Sequence, residues 1–499
     1  MPQTLNWPRK PIVYEINTRI WLNDLQSRLG HDVTLADIPD EEIDRLRNMG
    51  YHAVWLMGVW KTSPYSRSFC AHHPGLRAEA ERILGDLHQG DIDASVYAIA
   101  EYHVDSTLGG DEGLAILRQR LAKRSILLVV DYVPNHLAVD HPWVTEHPSR
   151  FIQATSEMLQ KEGGAFFKPE GSEHWLAHGR DPHFPPWTDT VQLNYFEPDV
   201  HVSMREELLR IADQCDGVRC DMAMLLLPRV FNKVWAWAAN GNAASGFWEP
   251  TITEVKKRNP DFKFMAEVYW GLEGEMQQLG FDYTYDKTLY DHLVSRKTSD
   301  IHVHLNTKSA YQKKTVRFIE NHDEPRAASI FSDSQNRLAA ALILTLPGMT
   351  LIHQGQELAW QKKLPVQLRR RPVEPDDNEL ESVYRELVGI ARRPVIQEGK
   401  WELLVVEAEQ RNDVLSYQWI SVHPTGSLVF IGNLTSEPCE GCVQAIVPGE
   451  SRDAVNVRDI LSGRTTVEGG SRCTRVALPF HLPPWGYQLI DLYRDQDST

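Results

Sequence analysis

Eight short apolar runs constrain the fold of this chain more than any other feature. They begin near residues 12, 52, 126, 217, 262, 281, 316 and 350, and they are rich in β-branched and aromatic residues. Amphipathic segments lie between several of them; Leu114, Leu117 and Leu121, for example, share one helical face. Such alternation is typical of βα units around a parallel sheet. Eight units predict an α/β fold, a closed (β/α)8 TIM barrel.

The bounds of these elements follow from the same pattern. The first strand is predicted over 12–21 and a helix over 41–48. The remaining strands are predicted over 52–57, 126–132, 217–221, 262–268, 281–285, 316–320 and 350–354.

Two departures from the alternation predict further domains. After Asn135 the chain carries scattered tryptophans and histidines without sustained periodicity, which indicates an insertion. From about residue 396 strand patterns alternate with turn residues and no helical face is present. We therefore expect a catalytic barrel over 1–135 and 193–395, an inserted domain B over 136–192, and a C-terminal antiparallel β-sandwich domain over 396–499.

Charge and apolar length exclude several classes of partner. The chain has 52 Lys and Arg against 68 Asp and Glu, a net charge of -16, which disfavours nucleic acid and anionic membrane surfaces. The longest apolar run, 339–352, is interrupted by Pro347 and is too short to span a bilayer. No apolar signal core follows Met1, so we expect a cytoplasmic protein. Its six cysteines have no framework spacing, which predicts free thiols.

Polar residues collect where four of the predicted strands end. The third strand runs into Asp131, Asn135 and His136, and the seventh into His322 and Asp323. The fourth and fifth end on Arg219 with Asp221 and on Glu267. Because barrel enzymes carry their catalytic groups at these ends, the residues are predicted to ring one mouth of the barrel.

The predicted environments of two carboxyl groups suggest acid–base chemistry. Arg219 and Asp221 are two residues apart, share a strand face, and are expected to keep Asp221 ionised by lowering its pKa. Glu267, among apolar neighbours, is expected to have a raised pKa and to keep its proton. A carboxylate nucleophile and a protonated acid are what retaining glycoside hydrolysis requires. For any single residue, an ion pair that stabilises a strand end is the alternative.

Four segments resemble those of the α-amylase superfamily of glycoside hydrolases. Asp131-Tyr-Val-Pro-Asn135-His136 is similar to the family segment DxxxNH, and Gly217-Val-Arg219-Cys-Asp221 is similar to GxRxD. Ala266-Glu267-Val and Asn321-His322-Asp323 are similar to its short glutamate segment and its HD segment. Their order on the third, fourth, fifth and seventh strands also agrees with the family, which inserts a domain after the third strand.

The resemblance implies roles for the matching residues. Asp221 would be the nucleophile, Glu267 the acid/base, and Asp323 a third carboxylate that holds sugar hydroxyls. Arg219, His136 and His322 would contact the nucleophile or the sugar, and Tyr97 stands where the family often stacks a tyrosine on that sugar. Asp131 and the strand-end aromatic Trp270 complete the predicted substrate-binding residues.

The chain also departs from the family pattern. Many starch-degrading members have Lys-His three and four residues after the nucleophile, where this chain has Met224 and Leu225. Asn135 matches a calcium ligand of the family, but Gln192 stands where an acid is often found. Calcium prefers six or more oxygen ligands, and the sequence offers only part of such a set, so we expect no required cofactor. Asn135 is the candidate ligand for the alternative, a structural Ca²⁺.

The predicted function is a retaining α-glycoside hydrolase that acts on α-glucosidic linkages of an oligosaccharide or polysaccharide. A glucanotransferase that passes the same covalent glucosyl unit to a sugar or to phosphate is the nearest alternative. A non-catalytic binding protein derived from the family, and a barrel enzyme with metal at Asp131, His136 or His322, are further alternatives. Linkage preference, and endo or exo action, stay open at this point.

Overall fold

A computed structural model describes residues 5–409, 411–422, 426–447, 454–468 and 475–494. Eight parallel strands pair in chain order and close on themselves, so the predicted barrel is confirmed. All eight strands are almost entirely buried, which explains their nearly continuous apolar sequences. The strands are β1 (Ile12–Asn17), β2 (Ala53–Met57), β3 (Leu127–Tyr132), β4 (Gly217–Cys220), β5 (Lys263–Ala266), β6 (Tyr283–Tyr285), β7 (Thr315–Arg317) and β8 (Met349–His353).

The first strand is shorter than predicted. β1 ends at Asn17, and a helix occupies Thr18–Leu29, where the sequence pattern suggested a strand as far as Trp21. The Asn17 side chain accepts a hydrogen bond from the backbone N–H of Ile20 and so caps the helix. The prediction was wrong because the apolar residues 20–22 form the buried face of a helix.

Helices surround the barrel and cover its strands. The predicted helix at 41–48 is present as Asp40–Met49, and the face of Leu114, Leu117 and Leu121 lies on Gly110–Ala122. The other helices of eight or more residues in the barrel region are Pro198–Gln214, Pro228–Trp235, Trp248–Arg258, Lys287–Val294, Thr298–Leu305, Asp333–Thr345 and Asn378–Ala391. Shorter helices lie at Glu273–Gln278, Ser309–Gln312, Ala327–Ile330 and Pro394–Glu398.

Two segments leave the barrel at the carboxyl ends of its strands. The first is closed by pairing of Trp60–Thr62 with Ile99–Val104, and it carries the helices Pro64–His72 and Pro74–Leu84, which the sequence analysis did not assign. The second follows β3 and is closed by pairing of His136–Ala138 with Thr190–Gln192. The second segment also contains Trp143–Glu146, Ser156–Glu162, Phe166–Phe167 and Leu176–Ala177.

Two antiparallel sheets form the C-terminal region. The larger sheet has the order Lys400–Leu403, Val414–Ile420, Ser427–Asn433, Tyr487–Tyr493, Val455–Asp459 and Thr465–Glu468. The smaller one has the order Val406–Glu407, Cys439–Ile446 and Arg475–Leu482. Apolar side chains of both sheets share one core cluster, as in a sandwich.

The larger sheet packs on the barrel through its other face. Trp419 Nε1 donates to the backbone oxygen of Thr345, 2.7 Å away, and the hydroxyls of Thr345 and Tyr417 lie 2.6 Å apart. Thr345 ends the helix that leads into β8, so the sheet is attached next to the last barrel strand.

The cysteines and helices of the described residues bear on two predictions, that the thiols are free and that no segment spans a bilayer. Within the described residues, Cys70, Cys215, Cys220, Cys439 and Cys442 are free, as predicted, while Cys473 lies outside them. Among the described residues, every helix is too short or too polar to cross a bilayer.

Candidate active site

A cavity of about 840 Å³ opens at the carboxyl ends of the barrel strands. Its lining includes the three carboxylates that the sequence analysis selected as catalytic, Asp221, Glu267 and Asp323. A cavity of this size, lined by aromatic rings and a few polar groups, is typical of a small-molecule or oligosaccharide site. The predicted residues Tyr97, His136 and Trp270 also line it.

Arg219 lies beneath this cavity and joins two of the carboxylates. Its Nη1 donates to Asp221 Oδ1 over 2.8 Å, and its Nη2 donates to Glu267 Oε2 over 2.6 Å. Asp131 Oδ1 is 3.6 Å from the same Nη1. The side chain is 1% exposed and is surrounded by the rings of Trp55, Tyr97 and Tyr285. One guanidinium therefore holds the strand ends of β3, β4 and β5 together.

Asp131 is also fixed from β2. Its Oδ2 accepts a 3.0 Å hydrogen bond from the backbone N–H of Gly58. Gly58 has a φ of 76°, which turns this N–H toward the carboxylate, and a Cβ there would lie 2.6 Å from Val96 Cγ1. Asp131 is thus placed under the site, with no contribution to the cavity lining.

Burial, and not the arginine, determines the protonation of Asp221. Burial raises its pKa to about 8, Arg219 opposes this shift, and the neighbouring charges of Glu267 and Asp131 add to it. Burial likewise raises the pKa of Asp131 to about 6. The expectation that Arg219 keeps Asp221 ionised was wrong, because one guanidinium is shared among three buried carboxyl groups.

The surroundings of Glu267 are also more polar than the sequence suggested. Its Oε2 accepts from Arg219 and, over 2.7 Å, from the backbone N–H of Met222. Its Oε1 accepts from the hydroxyl of Tyr269 over 2.8 Å. The apolar side chains Phe264 and Val268 are buried, but the carboxyl group itself points to donors. The prediction of an apolar pocket for this carboxyl group was therefore wrong.

Met222 reaches Glu267 through an unusual backbone conformation. Its φ is 40° and its ψ is 42°, a left-handed geometry that costs energy for a residue with a side chain. This geometry directs the N–H that follows Asp221 toward Glu267. Met224 and Leu225, at the positions of the family's Lys-His pair, are 0% and 3% exposed and pack in the core.

His322 forms the second charged group of the site. Its Nδ1 lies 2.5 Å from Glu15 Oε1, and its Nε2 lies 3.0 Å from Asp323 Oδ2 and 2.8 Å from the hydroxyl of Tyr97. Burial alone would lower the pKa of His322, but the two carboxylates raise it to about 10. Burial opposes the shift of Asp323 as well, and the charged His322 holds the pKa of Asp323 well below its usual range.

Glu15 was not among the residues predicted from the sequence. It lies inside β1 and is completely buried, whereas the predicted residues lie at strand ends. A glutamate inside an otherwise apolar strand, Ile12-Val-Tyr-Glu-Ile-Asn17, was the available signal. Buried carboxylates require a partner, and His322 provides it.

The remaining predicted residues contact the cavity with uncharged groups. Burial lowers the pKa of His136 to about 4, so this imidazole is neutral at neutral pH, and its ring lies 5.0 Å from that of Trp187. Trp270 is 42% exposed, has a φ of 65°, and meets His183 edge-on at 4.8 Å. Both rings present apolar surface to the cavity, as sugar-binding aromatics do.

Asn135, which matches a calcium ligand of the family, is paired with Gln192. Gln192 Nε2 donates to the side-chain and backbone oxygens of Asn135, over 3.1 and 2.9 Å, and Asn135 Nδ2 lies 3.2 Å from Gln192 Oε1. The two amides thus satisfy each other without a carboxylate. Calcium sites use six to eight oxygens, usually with several carboxylates, so this pair does not fit one.

Comparisons with known proteins agree with this geometry. A family model described as "Alpha amylase, catalytic domain" matches residues 35–395. Alpha-amylase 3 of Dictyoglomus thermophilum is 21% identical over 407 residues, which cover 76% of this chain and 70% of that protein. An alpha-1,4-glucan:maltose-1-phosphate maltosyltransferase of Burkholderia pseudomallei is 23% identical over 367 residues, which cover 70% of this chain and 28% of that protein.

Solved structures give a similar result for the fold. The maltogenic alpha-amylase AmyB of Thermotoga neapolitana is similar with a TM-score of 0.67 and 20% identity, and the match covers 98% of this chain and 99% of that one. At this identity the likeness shows that the two chains share a fold.

Proposed function

The chain belongs to the α-amylase family, and on that premise we propose that it is a retaining hydrolase of α-glucosidic linkages in α-glucans or malto-oligosaccharides. Glycoside hydrolases and glucanotransferases make up this family. The observation that carries the proposal is the single buried guanidinium of Arg219 bonded to both Asp221 and Glu267 at the cavity floor. It holds a nucleophile and an acid at fixed positions on neighbouring strands.

Asp221 and Glu267 would divide the two chemical steps. Asp221 attacks the anomeric carbon and forms the glucosyl ester, while Glu267 gives its proton to the departing glycosidic oxygen. Glu267 then takes a proton from water, and that water cleaves the ester and frees Asp221. The first step needs Asp221 ionised and Glu267 protonated. The proton that Asp221 retains at neutral pH, with its pKa of about 8, therefore has to pass to Glu267 before the attack.

Asp323 and His322 would hold the sugar during these steps. Asp323 is an ionised acceptor for sugar hydroxyl groups, since the charged His322 keeps its pKa low. Tyr97 is bonded to His322 and lines the cavity, so its ring would lie against the sugar. Hydrogen bonds to ionised acceptors are stronger than neutral ones and can strengthen further as the ring distorts.

An activity assay tests the proposal directly. We expect wild-type protein to hydrolyse maltoheptaose or soluble starch, and Asp221→Asn to lose at least about 10³-fold in kcat/KM. Asp333→Asn, a change in an exposed ion pair on the helix Asp333–Thr345, is the matched control and keeps wild-type activity. Equal activity of Asp221→Asn and wild type would contradict the assignment of the nucleophile.

A glucanotransferase is the second candidate, and one observation favours it. The side of the cavity next to Glu267 carries exposed apolar rings, Trp270 at 42% and Phe184 at 67% exposure. Rings in this place can bind an acceptor sugar and displace water from the glucosyl ester. Products longer than the starting malto-oligosaccharide, separated by chain length, would identify transfer.

A further inference from the structure

One part of the cavity lining comes from two segments that do not belong to the barrel strands. We call residues 91–97 and 361–371 the end wall. The first part follows β2 in the chain, and the second follows β8. Of the end wall, Ser95, Tyr97 and Gln367 line the cavity.

The two parts of the end wall are joined by a short antiparallel ladder. Ile92 pairs with Leu368. The backbone N–H of Asp93 donates to the oxygen of Gln367 over 2.8 Å, and that of Arg369 donates to the oxygen of Asp91 over 2.9 Å. Ile92 and Leu368 are 7% and 1% exposed and pack with Cys70 and Ala80 in a separate apolar cluster. The end wall therefore has its own small core behind the cavity surface.

Charged side chains fasten the end wall further. Arg370 bonds both carboxylate oxygens of Asp91, each over 2.8 Å, and also bonds Asp86. Arg371 bonds Asp24 over 2.7 Å, and its guanidinium lies 3.6 Å from the ring of Trp360. Arg370 and Arg371 therefore anchor the end wall.

The end wall is also attached on the other side of the site. Lys363 donates to the backbone oxygen of Asp323, a residue that lines the cavity. Arg19 donates to the backbone oxygen of Ala94 over 3.1 Å and to Thr62 over 2.8 Å, with 6% of its surface exposed. These contacts hold the wall from the loop that follows β7 and from the helix Thr18–Leu29 that follows β1.

The positions of Glu267 and Asp221 indicate which part of the glucan would face the end wall. Glu267, as the acid, must lie beside the oxygen of the bond that breaks, so the leaving part of the glucan lies on the side of the loop after β5. That side of the cavity is lined by residues 269–273 and 287–291. The part that stays on Asp221 lies across the mouth, where β8, β1 and β2 end and the end wall stands.

We propose that the end wall makes this enzyme exo-acting: the cavity receives only the non-reducing end of an α-glucan, and a chain that continues beyond the bound glucosyl unit collides with the wall. This inference rests on the proposed glucan chemistry. The end wall is held by an antiparallel β-ladder, a small apolar cluster and several ion pairs. It therefore resists displacement, because moving it would expose buried charge and apolar surface.

A chain-end block tests the inference. We would compare maltoheptaose with maltoheptaose whose terminal glucose carries a 4,6-O-ethylidene acetal, and follow the loss of each substrate by chromatography. We expect the blocked substrate to react at least about 100-fold more slowly, because its terminal ring no longer fits the closed end. Comparable rates would overturn the exo assignment and leave the glucan activity intact. Reaction of neither substrate would overturn the proposed function, and this inference with it.

Two arginine variants extend the test. Arg370→Ala removes the bidentate anchor to Asp91, and we expect the ratio of blocked to unblocked rates to rise about tenfold. Arg337→Ala is the matched control, since Arg337 has the same 22% side-chain exposure and also bonds two carboxylates, Asp333 and Glu379, on the helices Asp333–Thr345 and Asn378–Ala391. We expect it to leave the ratio unchanged. An equal ratio in wild type and Arg370→Ala, with both folded by thermal unfolding, would contradict the role of this anchor.

Discussion

Glu15 accepts a 2.5 Å hydrogen bond from His322, a residue 307 positions later in the chain. The contact connects the two ends of the barrel sequence, because Glu15 lies in β1 and His322 follows β7. Together with Asp323, it raises the pKa of His322 to about 10 and makes the ring a permanent cation at neutral pH. The site thus has two buried cations, Arg219 and His322.

Glu15→Gln should weaken the charge of His322. Removing one of the two carboxylates lowers the pKa of the ring, and an NMR titration of the His322 imidazole should show a fall of at least about one pH unit. Glu357→Gln is the control, since Glu357 is equally buried but bonds Tyr14, away from the cavity. The same ring pKa in Glu15→Gln and wild type would contradict this role of Glu15.

The same ring should make stability depend on pH. The folded pKa of His322, about 10, exceeds its usual 6.5. Its contribution to the free energy of unfolding is therefore fully present below about pH 6.5 and is lost as pH rises toward 10. Denaturant unfolding from pH 6 to 10 should show a steeper decline for wild type than for His322→Gln. Parallel curves would show that the ring is not charged in the folded protein.

Arg219→Lys should inactivate the protein although the charge is kept. A lysine ammonium cannot reproduce the two Nη groups that reach Asp221 and Glu267 at once. We expect a loss of at least about 100-fold in kcat/KM and a loss of about 3 kcal/mol in the free energy of unfolding. The measurements are glucan hydrolysis and denaturant unfolding, with Arg337→Lys as the surface control. Activity near the wild-type level would mean that the enzyme does not need one guanidinium bonded to both Asp221 and Glu267.

Asp221→Asn should be more stable than the wild-type protein above neutral pH. The folded pKa of Asp221 is about 8 against a usual 3.8, so ionising it in the folded state costs energy, and stability is lost as pH rises through this window. Asparagine resembles the protonated carboxyl and removes the cost. The difference in unfolding free energy should be near zero at pH 4 and exceed about 2 kcal/mol at pH 8. A difference that does not change with pH would contradict the raised pKa.

Chelators should leave the folded protein unchanged. Asn135 and Gln192 satisfy each other by amide hydrogen bonds, so we expect EDTA to shift Tm by less than about 1 °C and added Ca²⁺ to shift it equally little. Gln192→Asp, which supplies a carboxylate beside Asn135, is the informative variant, and its Tm is expected to become responsive to Ca²⁺. A large fall in wild-type Tm with EDTA would show that a metal is part of the fold.

Trp270→Ala should weaken substrate binding. An exposed ring at the cavity that stacks on a sugar contributes about 1.4 kcal/mol, so we expect KM for malto-oligosaccharides to rise about tenfold, with a smaller change in kcat. Trp175→Ala is the matched control, because Trp175 is 39% exposed against 42% for Trp270 but does not line the cavity. Equal KM values in the two variants would exclude a specific role for Trp270.

The barrel could be predicted from the sequence because its strands are buried on both faces. Apolar runs such as 127–132 and 349–353 are therefore nearly uninterrupted and easy to recognise. The motif residues could be found for a related reason, since each lies within such a run or a few residues after it. The first strand was overextended because Ile20 and Trp21 belong to a buried helical face, and a short apolar run does not distinguish the two.

Contacts between distant parts of the chain could not be predicted in this way. Glu15 bonds His322 across 307 positions, and Arg370 bonds Asp91 across 279. Nothing in the sequence around these residues indicates which partner each one has. The pKa of Asp221 was mispredicted for the same reason, since burial outweighs the opposing charge of its neighbour Arg219, and Glu267 and Asp131 add to the effect of burial. Local pattern indicates which residues reach the mouth of the barrel, and the tertiary structure determines their charge.

The bonds from Trp419 and Tyr417 to Thr345 bear on how the protein is made. Thr345 ends the helix that delivers β8, the strand that closes the barrel against β1. A nascent chain that has emerged only as far as residue 395 contains every barrel strand but lacks the partners of this helix end. We therefore expect barrel closure to be completed only after residues 417–419 have left the ribosome. The C-terminal sheets would then stabilise the closed barrel last, after all the catalytic residues have been synthesised.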